Sequence, residues 1–159
     1  MTALDIEIAV AHYLDWRRNI IVPNVYWGWG LRYEADMVVI TAAGYAVEVE
    51  IKVTPGDIKA DIKKNYHHDS NRFRRLWFAV PERLANDPNI PLRAGILAVT
   101  DHVDAFTRAY AVKTIRGGQL NKSAIKMEDH HVRKLLELGV MRVWSLKQLR
   151  ATNKTQPPA

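Results

Sequence analysis

Ala35 to Thr41 is a short, largely apolar run, and from Val47 to Val53 apolar residues alternate with charged ones; the stretches Ala35 to Thr41 and Tyr45 to Val53 predict two strands. The five residues Thr41-Ala42-Ala43-Gly44-Tyr45 suit a three-residue hairpin loop, a type I turn followed by a left-handed glycine. That loop sets Thr41 opposite Tyr45. Asp36 then falls opposite Glu50, and Glu34 opposite Lys52. Successive side chains alternate faces, so Tyr45, Val47, Val49, Ile51 and Val53 share a core face with Met37 and Val39. The other face carries Val38, Ile40 and Ala46 near the turn, and Glu34, Asp36, Glu48, Glu50 and Lys52 elsewhere.

The same reading covers the rest of the chain. Thr2 as N-cap, Asp5 in the capping-box region and apolar residues from Leu4 to Leu14 predict a helix over about residues 3–17. Ile20 to Trp29, broken by Pro23, predicts an irregular or edge strand. Thr54-Pro55 opens a second helix with Asp57 in its first turn and Ile58 and Ile62 facing inward. Leu76–Val80 and Ala94–Thr100 read as buried strands, Arg108–Ile115 as a more exposed one. Residues 81–93, with three prolines, are expected to wrap the surface. A helix over 122–138 should close at Gly139, and Ser145 should cap a short last helix. The expected organisation is a single domain over residues 1–150 and a disordered tail over 151–159. Helix, three strands, helix, strand, strand is a mixed α/β class.

Composition narrows the chemistry. The 159 residues have no cysteine, which removes disulfides, thiolate metal sites and a cysteine nucleophile and fits a cytoplasmic protein. No stretch is apolar for the length a membrane helix needs, and acidic residues near the start argue against a secretory signal. Twenty-three Lys and Arg against 17 Asp and Glu give +6, which favours a polyanionic partner such as nucleic acid.

The hairpin is the centre of the chemistry. Asp36 and Glu50 as direct neighbours present like charges, which need a counter-ion. Mg²⁺ takes oxygen ligands, commonly one or two carboxylates with waters and phosphate. Lys52 on the same face suits a phosphate oxygen or an attacking water. The competing account is a set of surface ion pairs on a solvated sheet face, each worth about 0–1 kcal/mol. The string Asp/Glu-x-Lys also recurs at Asp57-Ile58-Lys59 and Asp61-Ile62-Lys63. Those two lie on a predicted helix, where positions i and i+2 diverge by about 200° and do not converge on one ion.

These residues resemble the PD-(D/E)xK nuclease superfamily, whose restriction-endonuclease-like core runs helix, three antiparallel strands, helix, strand in a central mixed sheet flanked by helices. Asp36 and Glu50-Ile51-Lys52 occupy the places of its motif, with Ala35 where the family often has proline. Glu48–Val53, the Asp57–Asp61 helix and Trp77-Phe78-Ala79-Val80-Pro81 look like the MmcB-like DNA-repair branch. The resemblance implies a Mg²⁺- or Mn²⁺-dependent deoxyribonuclease, of the endonuclease kind, acting in DNA repair, recombination or processing. It implies that Asp36, Glu50 and the Ile51 carbonyl hold the metal and that Lys52 orients the water. Glu7 matches the glutamate many members add from the first helix. A homodimer is expected only by analogy with the fold. The alternative is a non-catalytic nucleic-acid-binding module that keeps the fold. A glycosidase using paired carboxylates fits less well beside a lysine and a positive net charge.

Glu34 and Glu48 are supporting candidates on the motif face. Lys59, Lys63, Lys64, Arg72, Arg74 and Arg75 are candidates for a phosphate-binding rim. Tyr26-Trp27-Gly28-Trp29 is read as packing rather than base stacking. The pairs His67-His68 and His130-His131 lack the spacing of helical metal sites and read as surface or DNA-contact residues. Asp36→Asn, Glu50→Gln and Lys52→Ala are each expected to abolish cleavage while leaving the fold intact.

Overall fold

The computed structural model describes residues 1–26, 29–62 and 71–154. Its elements are α1 (Ala3–Tyr13), β1 (Ile20–Val25), β2 (Ala35–Ile40), β3 (Ala46–Ile51), α2 (Pro55–Ile62), β4 (Phe73–Pro81), a 3₁₀ turn (Glu82–Leu84), β5 (Gly95–Val103), β6 (Tyr110–Arg116) and α3 (Asp129–Lys154). The six strands form one mixed sheet in chain order. β1–β2–β3 and β5–β6 pair antiparallel, while β3–β4 and β4–β5 pair parallel.

Local chemistry sets the element ends. The Thr2 hydroxyl accepts from the Asp5 amide at 3.2 Å, and the Asp5 carboxylate accepts from the Thr2 amide at 2.6 Å, a complete capping box. Thr54 and Asp57 repeat the exchange at the start of α2, at 3.1 and 2.9 Å, with Pro55 where no donor is needed. Pro23 lies on edge strand β1, where a missing ladder donor is tolerated.

The hairpin has the expected register: Met37 opposite Val49, Val38 opposite Glu48, Val39 opposite Val47 and Ile40 opposite Ala46. Gly44 turns the chain with φ of 80°, and its amide donates to Thr41 at 2.8 Å.

Both faces of the sheet are covered. α1 packs Ile6, Ala9 and Val10 onto Met37, Val39, Val47, Val49, Ala79, Leu97 and Val99. On the opposite face, Leu135 of α3 joins Val22, Val38, Ile40, Ala46 and Phe73. Next to that cluster, Ile58 of α2 joins Leu76, Phe78, Val80, Ile96 and Ala98. The face carrying Glu48 and Glu50 is therefore interior, and the account based on a solvated sheet face fails.

Several expectations change. The segment after β4 does not simply wrap the surface, because Leu84, Ala85 and Ile90 are buried and complete the cluster around Phe78. The last helix begins at Asp129, not near 122, and runs on to Lys154. Gly139 does not end it. A Cβ there would stand 3.4 Å from Val22, so the glycine lets α3 lie close to β1. Ser145 lies inside the helix and donates to the Met141 carbonyl, so no separate capped helix forms. Residues 151–154 continue the helix, and the rest of the predicted tail lies outside the described residues.

Candidate active site

The chain leaves β3 at Ile51 and enters α2 at Pro55, so only three residues separate a buried strand end from a helix. This short path fixes the charged group. Glu48 and Glu50 point inward from β3, at 0% and 1% exposure, and Lys52 follows at 5%. Burying several charges is costly unless they are paired. The Lys52 ammonium meets the Glu50 carboxylate at 2.5 Å, Asp61 at 3.1 Å and Asp36 at 3.7 Å.

Asp36 sits at the start of β2, where the hairpin ladder has ended. Its carboxylate accepts from the Ile51 amide at 2.7 Å, which ties it to the Glu-x-Lys strand by the backbone. It is also the member of the group most open to solvent, with about 38% of its side chain accessible. The structure thus brings Asp36, Glu50 and Lys52 together.

Burial pushes the Glu50 carboxyl up to about 7, with the Asp36 and Glu48 charges adding to it and Lys52 opposing. For Lys52 burial works against the charged form, yet the facing Glu50, Asp36 and Asp61 carboxylates hold the ammonium above the ordinary lysine range. Glu7, half-buried on α1, is raised by burial and then by the charge of Asp36. It therefore borders the group electrostatically.

The other predicted residues separate. Glu48 is turned to Tyr33, whose hydroxyl bonds to its carboxylate; burial and that charge raise the tyrosine. Glu34 is not opposite Lys52; it stands before β2 and faces Arg142 of α3 at 3.9 Å. Lys59 is exposed on α2, and Lys63 and Lys64 lie outside the described residues, as do His67, His68, Trp27 and Gly28.

Arg72, Arg74 and Arg75 do not extend the rim around Asp36 and Glu50. β3 and β4 are parallel, so the start of β4 lies beside Ala46 and Val47 at the far end of the sheet. Arg72 stacks over Trp29, Arg74 lies 4.5 Å from the Tyr45 ring, and Arg75 donates to the Gly118 carbonyl. Trp29 is packed, as expected, with its indole donating to the His131 carbonyl at 2.9 Å. His130 pairs with Glu128 at 3.3 Å.

Asp61 is the residue that sequence reasoning passed over. It belongs to an Asp-x-Lys string on a helix, and the Lys63 of that string lies outside the described residues. Asp61 itself, however, lies three residues after the fully buried Ile58, on the same inward side of α2. That spacing was the available signal.

Among the described residues no cluster of three Asp, Glu or His side chains is arranged to hold a metal. Two hard oxygen donors, Asp36 and Glu50, converge on one point now filled by the Lys52 ammonium. Also among these residues, no helix is long and apolar enough to cross a membrane.

No protein-family model matches the chain, and no curated protein matches it. Among solved structures it is similar to the SPO1766 protein of unknown function from Silicibacter pomeroyi. The identity is 15%, the TM-score 0.65, and the match covers 99% of this chain and 96% of that one. At that identity the likeness is one of fold: a mixed α/β architecture with a six-stranded mixed sheet flanked by helices.

Proposed function

We propose that the protein is a divalent-metal-dependent DNA nuclease with a restriction-endonuclease-like core, hydrolysing phosphodiester bonds at Asp36, Glu50 and Lys52. The observation that carries the reading is Glu50 Oε1, a buried carboxylate oxygen with no hydrogen-bond partner. Leaving such an oxygen unmatched costs about 1–3 kcal/mol or more, and a hard cation would recover it. Mg²⁺ or Mn²⁺ needs only one or two carboxylates when waters and phosphate complete its shell, so the absence of a three-carboxylate cluster among the described residues is compatible with it.

The residues present fit that ion. Asp36, Glu50 and the Ile51 carbonyl would hold it, and when bound it would supply Lewis-acid stabilisation of the phosphate and a more acidic water. Lys52 offers ammonium donors to a phosphate oxygen or to the attacking water. Asp61 keeps an electrostatic hold on Lys52 when Glu50 turns to other work, so the ammonium stays charged and in place. Glu7, whose proton is retained to higher pH, borders the open Asp36 side, where solvent enters. The +6 net charge favours the polyanionic substrate.

The test is a panel of duplex, single-stranded, nicked, flapped and four-way-junction DNA with Mg²⁺ or Mn²⁺, run beside Glu50→Gln. Cleavage that needs the ion and disappears in the variant supports the reading. Cleavage that survives chelation, or is equal in the variant, sinks it. Binding across the panel without cutting would favour the non-catalytic module.

A further inference from the structure

A second concavity lies on the opposite face of the sheet, beside the hairpin turn and the end of α1. It has a volume of about 530 Å³, within the range of small-molecule sites. Its floor is apolar, made by Val39, Val47, Trp77 and Leu97, with Leu14, just past the end of α1, as one wall. Arg74 and Arg75 stand among the lining residues, which include no Asp or Glu. Val47 pairs with Arg75 and Glu50 with Phe78, so the two places are three ladder steps apart, roughly 10 Å, and on different faces.

The two guanidinium groups are held in place without being neutralised. Arg74 rests on the Tyr45 ring, and Arg75 donates to the Gly118 carbonyl. Neither forms an ion pair among the described residues. Each guanidinium has five N–H donors; Arg74 gives one to the Asn121 carbonyl at 3.5 Å and Arg75 one to Gly118, which leaves others for an anion.

The polar side chains decide what kind of body fits. Tyr13 and Thr114 bond to each other at 2.8 Å, Asn19 donates to the Leu14 carbonyl at 2.6 Å, and Thr41 donates to the Tyr45 carbonyl at 3.1 Å. A nucleobase placed here would find free donors on the two arginines but no acceptor on them for its own N–H groups, which is unfavourable. A hydrocarbon body has no such demand.

We propose that this cavity binds a small amphipathic anion, a hydrocarbon chain or ring bearing one carboxylate, with the apolar body on Trp77 and Leu97 and the carboxylate on Arg74 and Arg75. The site is independent of the nuclease reading.

Decanoate and its neutral counterpart decanol separate the two halves of the claim. Calorimetric titration of the full chain should show saturable one-to-one binding of decanoate, with decanol about tenfold or more weaker. Amide shifts should concentrate at Tyr13, Val39, Val47 and Trp77. The double variant Arg74→Gln/Arg75→Gln should bring decanoate down to the decanol level and leave decanol unchanged. Ala43→Trp, at the exposed mouth, should weaken both ligands, and unchanged thermal midpoints would show that the variants fold. Absence of saturable decanoate binding overturns the proposal. Equal affinity for decanol, or shifts confined to exposed apolar residues of α3, would do the same.

Discussion

Replacing Lys52 by Met should destabilise the protein by roughly 3–5 kcal/mol at pH 8 without divalent ions, the range for removing one partner of a buried ion pair. The structure supports the upper part of that range. The Lys52 side chain is only 7% accessible and its ammonium faces Glu50, Asp61 and Asp36 at 2.5, 3.1 and 3.7 Å. Met fills much of the same volume, so the loss is mainly of charge. Glu50 and Asp61 would remain buried, with side chains 1% and 3% accessible. At pH 5 the Glu50 carboxyl, already pushed up to about 7, takes a proton, and the cost should shrink by about 1 kcal/mol or more. Urea unfolding followed by circular dichroism at both pH values measures the difference, and added Mg²⁺ should reduce it at pH 8. A cost below about 1 kcal/mol at pH 8, or the same cost at both, would refute the reasoning. Burial of Lys52 gives Lys52→Ala a stability cost that the sequence reading does not include. Glu50→Gln, which keeps the Lys52–Asp61 pair, is the cleaner probe of catalysis.

Three further outcomes follow from the geometry. Glu50 is raised from 4.5 to about 7, so between those values the native state holds a proton the unfolded chain has released. The Glu50 contribution to stability then falls as pH rises through that window, by at most about 3 kcal/mol, with Glu7 acting in the same direction and His131, which burial lowers, opposing. Thermal midpoints that rise from pH 5 to 7.5 without metal would contradict this. Asp61→Asn should leave Lys52 held mainly by Glu50 and weaken Mn²⁺ binding about tenfold in calorimetry, with unchanged affinity as the refuting result. Gly95→Ala would put a Cβ 2.3 Å from the Trp77 ring and 2.7 Å from the Gly118 amide nitrogen, and should cost about 1–3 kcal/mol in urea unfolding; a neutral effect would refute the close packing.

The legible parts of this molecule were those with short-range causes. Gly44 and the five-residue loop fixed the hairpin register, and Thr2 and Thr54 marked two helix starts from side chains three residues away. What was illegible depended on distant partners. Glu48 and Glu50 looked like charges on an open face because α2 and the Leu84–Ile90 segment, which cover that face, come later in the chain. Gly139 looked like a helix end because a glycine that serves close packing on Val22 and one that serves a left-handed cap are the same letter. The arginines of 72–75 looked adjacent to the site because sequence proximity to α2 hides the return of a parallel crossover to the opposite end of the sheet.

The three-residue passage from β3 into α2 makes the chain unequal in its tolerance of insertions. Extra residues between Ala42 and Ala43 would lengthen an exposed turn, where doubling a loop adds only about 0.6 kcal/mol of closure entropy. One extra residue at Val53 or Thr54 would rotate α2 by about 100° and carry Asp61 off the Lys52 side. Library diversity and inserted reporter tags therefore belong at the hairpin tip, while the stretch from Lys52 to Asp61 acts as a ruler whose length must be kept.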